Sequence, residues 1–93
     1  VTKDLNKAFY WLNLASEQDY LDAKYNLGVM YEFGEGVEQS YKMAYENYIY
    51  AARQDNLESQ IKVAEMYKTG SGIDQDLEKS SYWLKKIEAS KAK

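Results

Sequence analysis

Ninety-three residues with fifteen acidic and twelve basic side chains, a net charge of −3, suffice for one small domain with a thin core. Cysteine and histidine are both absent, which excludes disulfides, thiol chemistry and the usual zinc ligands, and removes the one side chain that normally titrates near neutrality. The acidic balance argues against nucleic acid as the main ligand, and no apolar run is long enough for membrane insertion.

Proline is missing and glycine is confined to five positions, so nothing reads as a flexible linker. The first residue is Val1 rather than methionine, which reads as a processed product or an excised segment; the compartment, cytoplasmic or periplasmic, therefore stays open.

Laid over itself, the chain repeats at an offset of 36 residues: Gly34 and Gly36 fall on Gly70 and Gly72, Val37 on Ile73, Met30 on Met66 and Tyr31 on Tyr67. The same shift carries Asp4 to Ser40 to Asp76 and Ala8 to Ala44 to Ser80, while Trp11 meets Asn47 and then Trp83. Residues 1–93 thus read as a single repeat domain: a half unit at 4–19 and whole units at 20–55 and 56–91. Five helices are expected in antiparallel pairs.

The first helix, 4–18, starts at Asp4 as N-cap and carries Leu5, Ala8, Trp11, Leu12 and Ala15 in one apolar stripe. The second, 21–33, buries Ala23, Leu27, Met30 and Tyr31. Gly28 inside it is roughly 1 kcal/mol worse than alanine by propensity, which makes sense where another helix backbone passes close by. On that reading Gly28→Leu costs about 1–3 kcal/mol through overpacking. Gly34 suits a left-handed helix end, with Val37 folding back on the last turn.

Ser40 caps the third helix, 41–53, which turns Tyr41, Ala44, Tyr48, Ala51 and Ala52 inward. The fourth, 57–69, repeats the second with Ile61, Ala64, Met66 and Tyr67. After the second glycine turn Asp76 caps the last helix, 77–91, where Leu77, Trp83, Leu84 and Ile87 form one face and Lys79, Lys85, Lys86 and Lys91 surround it. A polar outer face is what the terminal helix of a repeat array requires.

In Ala23-x3-Leu27-Gly28-x2-Tyr31-x2-Gly34-x-Gly36-Val37, followed by Ala44 and Ala51-Ala52, the chain resembles a Sel1-like repeat, a relative of tetratricopeptide repeats with a slightly longer unit. The match is weaker in 56–91, where Ser59, Ala64 and Ser80 replace the first alanine, the helix glycine and the second-helix alanine. Asn47 replaces an aromatic residue, and Asp19 and Asp55 replace the glycine that closes a unit. The resemblance implies an all-α, right-handed α-α superhelix acting as a protein-binding scaffold or adaptor, with no catalytic residues, no cofactor and no metal.

Chemistry competes poorly with structure at each motif. The Gly-x-Gly turns lack the spacing of a nucleotide fingerprint, and Glu35 and Glu38 would repel a phosphate. Glu32, Glu58 and Glu65 read as a solvated acidic stripe rather than a general acid–base pair, and the lysines of 79–93 as a solvated cap. A second face of the first-type helices remains: Asp22, Tyr25, Val29, Glu32 and Phe33, carried by the repeat to Glu58, Ile61, Glu65 and Lys68. In the families this chain resembles, that helix lines the concave surface, so these nine residues are the expected protein-binding face, suited to a peptide with basic and apolar residues. Other functional readings are an inhibitor or immunity-type protein clamping one toxic partner, a hydrolase without a visible nucleophile–base pair, and a few repeats of a longer solenoid. The partner's identity and the oligomeric state stay open.

Overall fold

The computed structural model describes residues 21–91 together with Lys7, Trp11 and Leu14. It is all-helical over the described residues: α1 is Leu21–Phe33, α2 Tyr41–Ala52, α3 Leu57–Thr69 and α4 Leu77–Lys91. Lys7, Trp11 and Leu14 are helical too; the rest of the expected first helix, with its Asp4 cap, lies outside the described residues. Each helix packs on its chain neighbour, α1 on α2, α2 on α3 and α3 on α4, the quasi-one-dimensional contact pattern of a solenoid.

The 36-residue shift is written in the hydrogen bonds. Ser40 N–H donates to the Tyr31 carbonyl at 2.9 Å and Asp76 N–H to the Tyr67 carbonyl at 2.8 Å. The Gln39 amide donates to the Glu32 carbonyl at 2.7 Å, and the Gln75 amide repeats this on Lys68 at 2.8 Å. Gly34, Gly36, Gly70 and Gly72 all have positive φ, which reverses the chain between the helices of a pair. Asp55, in place of the closing glycine, takes φ 68°. Ser40 and Asp76 cap α2 and α4 as expected, accepting from the Met43 and Lys79 amides. Asn56 caps α3 in the same way.

The core runs between the helix rows through Ala44, Tyr48, Ile49, Ala52, Val63, Ala64, Met66, Tyr67 and Trp83. Gly28 is required by a side chain rather than by a helix backbone: a Cβ there would lie 2.4 Å from Cε1 of the Tyr48 ring. Two buried amide and hydroxyl groups are satisfied, Gln60 Nε2 on the Ala52 carbonyl at 3.1 Å and Ser80 Oγ on the Ala64 carbonyl at 2.9 Å. Ser59 Oγ, fully buried, makes no hydrogen bond. A desolvated hydroxyl without a partner destabilises, so Ser59→Ala, which restores the residue found at Ala23, should raise stability by about 1 kcal/mol in urea unfolding.

Several expected core positions lie open. Trp11 is 62% exposed. Its counterpart Trp83 is buried in a cluster with Ile49 of the preceding second-type helix. Tyr41 opens α2 one turn before the seam begins at Ala44, and its side chain is exposed. Ile61, Leu77 and Leu84 are exposed on the last helix pair. For Ile61 and Leu84 the reason is positional: α3 covers their counterparts Tyr25 and Tyr48, and no further helix follows α4 among the described residues.

Candidate functional site

The nine expected binding residues divide between α1 and α3. Asp22 and Glu58 are exposed in the first turns of α1 and α3, where a carboxylate also complements the helix dipole. Tyr25 and Val29 are half-buried and pack against the core cluster. Tyr25 lies 5.7 Å from the Tyr48 ring, centroid to centroid. Phe33 is 60% exposed, with the Lys62 ammonium 5.6 Å from its ring centre. Ile61, Glu65 and Lys68 are all exposed, and they line one groove of about 310 Å³ with Leu84, Ile87 and Glu88 of α4.

Glu32 does more than present a surface charge. Its Oε1 accepts from the Tyr48 hydroxyl at 2.7 Å and from Lys62 Nζ at 3.2 Å, tying α1, α2 and α3 together at one atom. Tyr48 is fully buried, and desolvation, followed by the Glu32 carboxylate, pushes its phenol well above the ordinary tyrosine range. Tyr45 is shifted the same way, first by burial and then by its 2.6 Å hydroxyl contact with Tyr67.

These shifts have a consequence at alkaline pH. The folded chain keeps protons on Tyr45 and Tyr48 that the unfolded chain loses near pH 10, so the native state binds more protons and stability falls as pH rises above about 10. Tyr48→Phe, having no proton to lose there, should flatten that fall. Urea midpoints measured between neutrality and the alkaline limit check the sign.

A second concavity, of about 460 Å³, opens on the side of the second-type helices, where Arg53, Lys79 and Lys86 surround Tyr67, Tyr82 and Trp83. Lys79 stands 5.6 Å over the Tyr67 ring and Lys86 5.5 Å over Trp83. The ammonium groups of these two α4 lysines thus stand over core aromatic rings, and that of Lys86 also lies 3.9 Å from Asp55 Oδ1. Sequence reading treated them only as solvated charge. The Lys86–Trp83 pair lies within one helix at i, i+3, whereas the Lys79–Tyr67 pair joins two helices and leaves no pattern within either.

Comparison with known proteins places this architecture. No curated protein sequence matches the chain. Among solved structures, a Sel1 repeat protein from Oxalobacter formigenes is similar at 33% identity and TM-score 0.91, over 95% of this chain and 67% of that one. A protective antigen of uropathogenic Escherichia coli strains, displaying an SLR fold, is similar at 33% identity and TM-score 0.90, over 94% of this chain and 19% of that one. The Sel1 repeat model matches residues 1–20, 21–56 and 57–87. With the glycine turns, the helix pairs and the 36-residue register in place, the chain belongs to the Sel1 repeat family, whose members generally serve as protein–protein interaction modules.

Proposed function

We propose that the chain is a non-enzymatic interaction module that holds a peptide or protein segment along the concave face of the first-type helices α1 and α3. The observation that carries this reading is the exposure of Phe33 and Ile61, 60% and 41%, on the same helices that present the carboxylates of Asp22, Glu58 and Glu65. Apolar contact points next to these carboxylates select for an extended or helical segment that offers apolar residues with lysine or arginine between them. Tyr25, Val29 and Glu32 supply the half-buried floor beneath these groups, and Lys68 marks the end of the face.

The test uses chemistry rather than a known partner. A random peptide library displayed on phage is selected against the intact chain, and the enriched sequences are compared with those selected by a chain carrying Asp22→Lys and Glu65→Lys. Enrichment of basic and apolar residues by the native chain, lost in the variant, supports the face. Identical enrichment by both moves binding away from it.

A further inference from the structure

We propose that the groove between α3 and α4 is a seat for an amphipathic helix of a separate polypeptide, one carrying an acid at the position where α3 carries Lys62. This seat shares Ile61, Glu65 and Lys68 with the proposed peptide-binding face, on which reading it partly rests, and adds a second wall from α4.

The chain contains its own template for the occupied groove. Shifted back by 36 residues, the groove residues Ile61, Glu65, Lys68, Leu84 and Glu88 become Tyr25, Val29, Glu32, Tyr48 and Ala52. That earlier groove is filled by α3. Gln60 reaches the Ala52 carbonyl, Lys62 pairs with Glu32 at 3.2 Å, and Val63 and Met66 join the cluster containing Tyr48. Tyr48 is 0% exposed there, whereas Leu84 in the terminal groove is 50% exposed. The two floors correspond position by position: Ala44 and Ala51 in one are Ser80 and Ile87 in the other, all buried.

Their rims differ in a way that defines the occupant. Glu32 in the filled groove is Lys68 in the open one, so the residue corresponding to Lys62 must be acidic to make the same contact. Val29 and Ala52 become Glu65 and Glu88, giving an apolar floor with a charged border. That composition fits an exchangeable partner better than a permanent internal seam.

The probe is a peptide of residues 56–70, made helical by a lactam between Glu65 and a lysine introduced by Thr69→Lys, both positions being exposed in the chain. It is compared with the same peptide carrying K62E, each titrated into the 93-residue chain while backbone amide shifts are followed by NMR. The K62E peptide should bind about fivefold more tightly, with shifts centred on Ile61, Leu84 and Glu88. Lys68→Glu in the chain should reverse the preference, and Leu84→Asp, at a half-exposed site, should abolish binding while the circular dichroism spectrum is unchanged.

Equal binding of both peptides whatever residue stands at 68, or no binding by either, would overturn the proposal. Self-association in sedimentation that disappears with Leu84→Asp would overturn it in favour of a second copy. Amide protection of Ile61 and Leu84 in a longer natural chain, equal to that of Tyr25 and Tyr48, would assign the seat to a following segment. Leu84→Asp reads this seat alone, because Leu84 lies outside the α1 and α3 face, whereas Lys68 belongs to both.

Discussion

Gly28→Ala is expected to lower stability by about 2 kcal/mol, opposite in sign to the gain of about 1 kcal/mol that alanine brings to a helix interior. The new Cβ would lie 2.4, 2.6 and 2.9 Å from three atoms of the Tyr48 ring. That ring cannot move aside cheaply: it is fully buried, its hydroxyl is held by Glu32 at 2.7 Å, and Lys62 and Tyr25 border it. The chain also supplies the compensating change, because the next unit pairs Ala64 with Leu84 where this one pairs Gly28 with Tyr48. Gly28→Ala combined with Tyr48→Leu should therefore lose less than the two single changes added together, with a coupling of about 1 kcal/mol or more. Urea unfolding of the four chains measures it. Additivity would mean that the ring and the glycine do not constrain each other.

Gly72→Ala should be more damaging than Gly34→Ala or Gly70→Ala, at about 3 kcal/mol. Its φ of +77° already disfavours a side chain, and a Cβ would sit 2.6 Å from the carbonyl carbon of Tyr41 and 2.8 Å from its oxygen. Backbone cannot rotate away as a side chain can, so the turn or the start of α2 must shift. Gly70 is the control: it has a similar φ of +76°, but its nearest neighbours, Cβ and the backbone N of Gln75, both stand at 3.3 Å, so a shift of a few tenths of an ångström admits the Cβ. Gly70→Ala should cost only the conformational term, about 1 kcal/mol. For a domain of this size the difference is about 10 °C in Tm, and equal losses at the two glycines would contradict the packing of the turn against α2.

Helix positions were legible because the apolar spacing and the glycine turns recur in register: the starts of α1 and α3, and of α2 and α4, are each 36 residues apart, where the repeat puts them. Exposure was less legible, since periodicity assigns a residue to a face without saying whether another helix covers that face. Tyr48 and Leu84 occupy one repeat position, yet one is buried and the other half-open, because among the described residues α3 follows the first and no helix follows the second. Val63, Ser59 and Gln60 show the reverse: valine stands where Leu27 does, and two polar residues are buried because they face the preceding unit.

The candidate site was legible as a set of residues and illegible as a geometry. Glu32 could be placed on a face of its helix, but its shared contact with Tyr48 and Lys62 joins three helices and leaves no pattern within any one. The groove of Ile61, Glu65 and Lys68 with Leu84 likewise exists only once α3 and α4 are packed.

Calorimetric titration of a library-selected peptide into the native chain and into chains carrying Glu65→Lys or Phe33→Ala tests the binding face most directly. Both residues are exposed, so neither change should move Tm by more than about 2 °C. The face on α1 and α3 predicts affinity at least about tenfold weaker for each variant. Undiminished affinity in both, with the fold intact, would contradict it.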